Sequence, residues 1–395
     1  GASDIHIEPY PGKQKTLIRF RRDGSLMNYI EIPSSYRSSL VARLKIMCDL
    51  DISERRKPQD GKIKFKKFGP LDIELRVATV PTQGGLEDVV MRILAAGEPL
   101  PLEKLALSLR NLSTLKSVVS KPYGLFFVCG PTGSGKTTTL HSVLKFLNTP
   151  ETKIWTAEDP VEITQPGLRQ VQVNHKIDWT FAKALRALLR ADPDVIMVGE
   201  MRDTETARTA IEASLTGHLV LSTLHTNSAP ETVTRLLDMG MDPFSFADSL
   251  LCVLAQRLVR RLCPACKTSE PASEEQIEGW LDEYMHVFGQ EPTGVTRESL
   301  RAEWQERFAV DGRLLHWHSP GCDHCSHTGH KGRLGLHELM MVNADTRRLI
   351  QTGASPDMLL AQALREGMRT LRQDGIEKVL SGFTSMEEVR ASSNA

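Results

Sequence analysis

Residues 130–137 read Gly-Pro-Thr-Gly-Ser-Gly-Lys-Thr, a run whose residue types and spacing suit the binding of phosphate oxygens. Gly130, Pro131, Thr132, Gly133, Ser134 and Gly135 form a loop whose glycines let the backbone curl and point N–H groups inward at an anion. Lys136 is spaced to reach the β- and γ-phosphates of a nucleotide. Thr137 is spaced to hold Mg²⁺, and Thr138 continues the run. The apolar stretch Leu125-Phe126-Phe127-Val128-Cys129 precedes the loop and a helix-like stretch, Thr138 to Leu147, follows it. Strand, glycine loop and helix N-terminus form the context this motif requires. A nucleoside triphosphate is the expected ligand.

Other segments supply the groups that such a site needs for turnover. Asp194-Val195-Ile196-Met197-Val198-Gly199-Glu200 reads as a buried strand, expected beside the phosphate loop, that ends in a carboxylate. Glu200 is expected to activate water or support Mg²⁺. The competing role of capping the next helix can fall to Asp203 instead. Glu158-Asp159-Pro160-Val161-Glu162 follows a second strand. The carboxylates of Glu158, Asp159 and Glu162 are expected to face the crevice at the strand ends and to hold Mg²⁺, directly or through waters. His218 and His225 bracket the strand Leu219–Leu224, and both read as hydrogen-bonding sensors of a γ-phosphate. Arg186 and Arg190, spaced i, i+4, are expected on one helix face. Arg202 follows Glu200, and Arg76 and Arg92 lie in the first hundred residues. Around the loop itself, Lys136 is the one cation expected.

Seven cysteines are present. Cys48, Cys129 and Cys252 stand in apolar company as buried thiols. Cys263-Pro264-Ala265-Cys266 and Cys322-Asp323-His324-Cys325 form two Cys-x-x-Cys pairs. Four thiolates can close a tetrahedral zinc site, and closed ligation of that kind is structural rather than catalytic. A redox pair or unrelated thiols are the alternatives, and His324, His327 and His330 are spare donors.

Three regions must position these groups. Residues 1 to about 100 alternate polar and apolar positions, as in Leu17-Ile18-Arg19-Phe20 and Leu71–Val77. They contain a helix-like stretch, Tyr36 to Asp49, and turn signals at Asp23-Gly24 and Asp60-Gly61, which together read as a small α+β domain. Ala95 to Pro101 reads as a linker. Alternating strands and helices follow, the pattern of a parallel sheet with the nucleotide at its strand ends. Helices are expected over Thr180–Arg190, Thr204–Leu215, Glu231–Asp238 and Phe244–Val259. The third region holds the cysteines, an insertion, helical patterns from Pro356 to Arg390, and frayed residues from Ala391 to Ala395.

The 49 basic residues balance 49 acidic ones. That argues against a protein whose main task is gripping nucleic acid, which needs a basic face. No apolar stretch approaches the length of a membrane span and no signal peptide opens the chain. The first residue is Gly1, and the chain is expected to be a piece of a longer protein.

Together these motifs resemble the secretion ATPase superfamily, in particular the motors of type II secretion and type IV pilus assembly. The resemblance covers nearly the whole chain. It runs through Ala2–Pro9, Leu50–Glu54, Pro58–Gly61, an aspartate box at Glu158–Glu162, a second nucleotide motif at Asp192–Asp203 and a histidine box at Thr216–Asn227. It implies a PAS-like N-terminal domain over 1–100 and a RecA-like ATPase domain over 101–395. Within the latter it implies a tetracysteine subdomain at 260–337 and a helical subdomain at 338–395. It also implies a homo-hexamer that uses ATP, Mg²⁺ and Zn²⁺, in the cytoplasm at the inner face of the bacterial inner membrane, with a membrane platform as partner.

By the same resemblance Lys136 is the phosphate lysine, Glu200 the catalytic glutamate, and Cys263, Cys266, Cys322 and Cys325 the metal ligands. Arg76 and Arg92 match arginines lent to the nucleotide, while Arg186, Arg190, Arg202 and Arg333 match subunit-contact positions. The chain departs from the family from Lys267 to Pro320 and in the turn Gly84–Asp88. A DNA translocase or helicase and a nucleotide-gated scaffold without turnover are the rival readings. The balanced charge disfavours the first and the presence of Glu200 the second.

Overall fold

The alternating runs near the N-terminus fold into strands: β1 (Ala2–Glu8), β2 (Thr16–Arg22), β3 (Ser25–Ile32), β4 (Gln59–Lys64), β5 (Glu74–Thr82) and β6 (Leu86–Leu94). In the computed structural model, which describes residues 1–94, 98–289 and 293–393, they form one antiparallel sheet of order β3-β2-β1-β6-β5-β4. Helix α1 (Arg37–Met47) covers one face of it, burying Val41 and Leu44 with Ile63, Val77 and Val89. Asp23-Gly24 turns β2 into β3 as expected. Asp60-Gly61 does not turn, because both residues lie inside β4. A Cβ on Gly61 would come 2.9 Å from both the Cβ and the carbonyl oxygen of Cys48, so the glycine serves close approach of the end of α1. The Gln59 amide explains the neighbouring signature: it accepts from Asp51 N–H at 2.9 Å and donates to the Asp51 and Glu54 carbonyls.

The chain divides into two units, Gly1–Glu98 with Glu162–Thr164, and Pro99–Val161 with Gln165–Ala395. Ala95, Ala96 and Gly97 of the expected linker lie outside the described residues. The second unit is built on a seven-stranded sheet of order β15-β12-β7-β11-β10-β8-β9. Its strands are β7 (Gly124–Cys129), β8 (Ile154–Glu158), β9 (Arg169–Gln172), β10 (Val195–Val198), β11 (Leu219–Leu224), β12 (Leu250–Leu262) and, later in the chain, β15 (His330–Met341). All neighbours are parallel except β12 and β15.

Both faces of this sheet are covered. Helices α2 (Leu109–Val119) and α3 (Lys136–Leu147) pack on Phe126, Val128, Val195, Met197 and Leu221. Helices α4 (Phe181–Leu188), α5 (Thr204–Leu215), α6 (Ala229–Asp238) and α7 (Pro243–Ser249) pack on Phe127, Ile196, Val198 and Val220. Strands buried on both faces read as unbroken apolar runs rather than alternations. That property overturns one expectation: Phe244–Val259 is not one helix. It ends as a helix at Ser249 and continues as β12. Helix α4 stops at Leu188, so Arg190 lies in the turn beyond it and shares no helix face with Arg186.

The stretch between the cysteine pairs is folded. Strand β13 (Thr268–Pro271), helices α8 (Glu274–His286) and α9 (Arg297–Phe308) and strand β14 (Leu315–His318) follow in order, and β13 pairs with β14. Ile277, Trp280, Leu281, Tyr284 and Trp304 join a core with Leu336, Ile376 and Val389. The last two sit on α12 (Leu371–Leu380) and α13 (Met386–Ser392), which follow α10 (Ala344–Gln351) and α11 (Pro356–Arg365). The end is less frayed than expected: Ala391 and Ser392 are helical, and Arg372 donates to the Ser393 carbonyl at 2.6 Å.

Candidate functional site

Strand β7 is fully buried and ends at Cys129, where the chain leaves the sheet as the loop 130–135. Gly130, Gly133 and Gly135 have φ of 153°, 79° and 87°, the region that glycine enters without strain. At Gly130 a Cβ would meet the Gln256 carbonyl oxygen at 2.5 Å, and at Gly135 it would meet Gln256 Nε2 at 2.8 Å. Gln256 is on β12, beside β7. Its Nε2 donates to the Ser134 carbonyl at 2.7 Å and its Oε1 accepts from Thr139 Oγ1 at 2.6 Å. One amide thus ties the loop to the first turn of α3. Sequence reasoning missed Gln256 because β12 was expected to be helical.

Lys136 opens α3 and is 9% exposed. Its ammonium donates to the carbonyls of Gly130 and Pro131 at 2.8 and 2.9 Å. Burial lowers its pKa, and the Glu200 carboxylate acts most strongly the other way. The buried Ser134 Oγ has no partner among the described residues, and the space about Gly133 is open. An inward lysine, an unpartnered hydroxyl and an open glycine loop at a helix start fit a phosphate group. Thr137, half-buried, is the second residue of α3.

Glu200 stands two residues past β10. That strand is not next to β7; β11 lies between them, which puts β10 about 10 Å from β7 at ordinary strand spacing. Buried strands of similar composition carry no mark of their order, so the expectation of adjacency fails. The ends still converge on one edge, since Cys129 is in register with Leu224, and Val198 with Ser222 and Ala157. Met201 N–H donates to the Thr223 carbonyl and Thr223 Oγ1 to the Gly199 carbonyl, fixing the segment. Glu200 Oε2 is 2.7 Å from Arg202 and Oε1 is 3.1 Å from His225 Nε2. Asp203, not Glu200, caps α5, accepting from Thr206 N–H at 2.8 Å.

His225 therefore belongs to this edge, whereas His218 does not. His218 precedes β11, its carbonyl accepts from Gly124 N–H at the start of β7, and its Nδ1 is 2.9 Å from the Ala213 carbonyl. A strand's two ends point to opposite edges of the sheet, so His218 stands about 20 Å from the loop side and does not sense a phosphate bound there.

Glu158 also has a different setting from the open crevice expected. Its side chain is 3% exposed and accepts from Thr156 Oγ1 at 2.7 Å and Gln170 Nε2 at 2.9 Å, with His141 Nε2 at 3.0 Å. Gln165 Nε2 donates both to the His141 carbonyl and to its Nδ1. The shared carbonyl fixes the amide's orientation, so Nδ1 is an acceptor and Nε2 carries the proton to Glu158. The carboxylate braces α3 against β8. Glu162 groups with the first unit.

Lys136 is not the only cation near the loop. Arg257, next to Gln256 on β12, donates to Asn227 O and Oδ1 at 3.1 Å, and its charge acts on Lys136. Burial lowers its own pKa, while Cys129 and Glu338 act to raise it. Glu338, on β15, is buried and accepts from Ala229 N–H at 2.8 Å at the start of α6. Burial pushes its carboxyl up to about 7, against the pull of backbone donors and Arg257.

Among the other arginines, Arg186 pairs with Glu205, while Arg190 and Arg333 are exposed. In the first unit Arg76 and Arg92 are direct cross-strand partners, and Arg92 Nε reaches Asp4 at 3.0 Å.

The four cysteines converge. Their Sγ atoms all lie within 4.8 Å of one another, with Cys263–Cys322 and Cys266–Cys325 at 4.0 Å and Cys322–Cys325 at 3.9 Å. A tetrahedron with zinc–sulfur arms near 2.3 Å has edges of about 3.8 Å, so the residues fit that ion. Cys322 N–H donates to Cys325 Sγ at 3.1 Å. Of the spare histidines, His327 pairs with Asp323, and His330 faces the Thr328 carbonyl.

A buried strand, a glycine loop and a helix beginning with lysine, on the C-terminal edge of a parallel sheet that also presents a carboxylate, define a phosphate-loop α/β protein. The sequence matches the Type II/IV secretion system protein family over residues 1–391, and the chain belongs to that family. It is 47% identical to the type II secretion system protein E of Pectobacterium carotovorum subsp. carotovorum, over 98% of this chain and 72% of that protein. It is 45% identical to the type IV pilus assembly ATPase PilB of Myxococcus xanthus, over 98% of this chain and 64% of that one. The fold is similar to a crystal structure of the pilus retraction motor PilT with bound ADP, with a TM-score of 0.63, 25% identity and coverage of 100% of this chain and 94% of that one.

Proposed function

We propose that this chain is the motor ATPase of a type II secretion or type IV pilus assembly machine. The observation that carries the reading is the meeting of Lys136, Glu200 and His225 on one sheet edge, in a chain 43–47% identical to secretion and pilus ATPases. ATP supplies the transferable phosphoryl group when bound. Lys136 and the loop N–H groups hold its phosphates, and Thr137 supports Mg²⁺. Glu200 orients and deprotonates the attacking water, with Arg202 and His225 steering its two oxygens. Glu158 acts by holding α3 in place.

In this reading the second unit is a RecA-like motor carrying a structural zinc on Cys263, Cys266, Cys322 and Cys325, with a tetracysteine subdomain at 260–337 and a helical one at 338–395. The first unit is PAS-like. The family resemblance assigns Arg76 and Arg92 to nucleotide; here they stand directly opposite each other, with Arg92 held by Asp4 at 3.0 Å. The working form is a homo-hexamer at the inner face of the bacterial inner membrane, coupled to a membrane platform. Among the described residues no helix is long and apolar enough to cross a membrane.

The test is phosphate release from ATP and Mg²⁺ across a range of protein concentration, with Lys136→Ala alongside. The wild-type chain should turn over, with specific activity rising as rings assemble, and Lys136→Ala should bind no nucleotide. Flat specific activity would remove the hexamer. A Lys136→Ala variant that still binds and hydrolyses ATP would remove the loop from the mechanism.

A further inference from the structure

The insertion between the cysteine pairs carries a second set of donors that the nucleotide and thiol centres do not use. His316 and His318 are i, i+2 on β14, so they share one face of the strand. Glu270 on β13 is the direct cross-strand partner of His316, and Thr268 that of His318. Glu270, His316 and His318 each offer a donor atom, and these atoms lie within 4.8 Å of one another. The imidazoles stack at 6.0 Å between centroids, Glu270 Oε1 is 3.3 Å from His316 Nδ1, and Thr268 Oγ1 is 3.0 Å from His318 Nε2.

The two-stranded ribbon that presents these groups is anchored. Trp317 points to the opposite face, where a Cβ on Gly382 would meet its ring at 2.6 Å, and Lys267 Nζ lies 4.7 Å from its centroid. Wedging Trp317 against the end of α12 holds the two histidines outward and fixes their spacing before any ligand arrives. Two imidazoles and a carboxylate on an exposed ribbon suit a borderline divalent ion such as Zn²⁺. Three protein ligands leave at least one position open, unlike the closed thiolate centre.

We infer that Glu270, His316 and His318 form a second metal site, an open one for a divalent transition ion, on the two-stranded β13–β14 ribbon. Bound metal would join the strand that leaves the first cysteine pair to the strand that leads into the second. The site is independent of nucleotide turnover.

The test uses the intact chain as purified, with its thiol centre loaded, titrated with Zn²⁺ against a competing indicator and separately with Co²⁺. One further equivalent should bind. The cobalt form should show weak visible bands without the near-ultraviolet sulfur-to-cobalt charge transfer that thiolate ligation gives. His316→Ala/His318→Ala should lose that equivalent while the tightly held one remains, and Glu270→Gln should weaken it with the circular dichroism unchanged. Absence of a saturable second equivalent would overturn the proposal. So would its full retention in the double variant, or a charge-transfer band on the added cobalt, which would assign the uptake to the cysteines.

Discussion

The Gln256 amide joins the Ser134 carbonyl to the Thr139 hydroxyl, so the phosphate loop depends on a side chain from a distant strand. Replacing it with alanine leaves a buried hydroxyl and carbonyl unpaired, at a cost of about 1–3 kcal/mol, and frees the loop from α3. Gln256→Ala should weaken ADP affinity about tenfold, corresponding to about 1.4 kcal/mol. Calorimetric titration against wild type checks it, and unchanged affinity would show that the loop holds its shape alone.

A second residue-scale prediction concerns Glu338, whose buried carboxyl is pushed from 4.5 to about 7. Between those values the folded chain binds more protons than the unfolded one. This contribution to stability is therefore full below pH 4.5 and lost as pH rises through 7. Glu338→Gln keeps an acceptor for Ala229 N–H and does not titrate. The stability difference, variant minus wild type, should rise by a few kcal/mol from pH 5 to pH 8 in denaturant unfolding. A flat difference would contradict it. The chemistry of Lys136 was legible from the glycine loop that leads into α3, and that of Glu200 and His225 because each lies within two residues of a strand end. The opposite placement of His218, the closed surroundings of Glu158 and the nearness of Arg257 were not, because they follow from which strand lies beside which.

At the scale of elements, the four cysteines bring the end of β12 against the segment after β14 and so close the insertion. The core of Trp280, Tyr284 and Trp304 then packs on α12 and α13. Structural zinc contributes on the order of 10 kcal/mol in small modules. Stripping the proposed ion with a strong chelator should expose the β13–β14 ribbon first, shifting the emission of Trp317 and Trp304 and raising amide exchange over 263–289 and 293–325. ADP affinity should change less than threefold, since the loop rests on β7 and Gln256. Unchanged emission and exchange after verified metal loss would contradict a structural role. The Cys-x-x-Cys spacing made the centre legible. The strand pair and two helices between its halves were not read, since capping boxes at Ser273 and Thr296 are local signals that say nothing of where a helix docks. Strand β12 was misread for a related reason: an apolar run buried on both faces has no period that separates strand from helix.

For the whole molecule, the parallel sheet with its ligand edge was legible from the alternation of strands and helices, and family membership from the order of the motifs. Strand order was not, because fully buried strands such as β7, β10 and β11 are interchangeable in composition. The central claim is that the edge formed by β7, β10 and β11 hydrolyses ATP, with Lys136 binding phosphate and Glu200 acting on water. Glu200→Gln tests it most directly, because the amide preserves shape and hydrogen bonds to Arg202 or His225 while removing the base. ATP affinity and single-turnover phosphate release should be measured on the same preparation. The account predicts affinity within a fewfold of wild type and release slowed by a factor of about 10² or more. Wild-type release from Glu200→Gln would contradict it and place the catalytic base elsewhere.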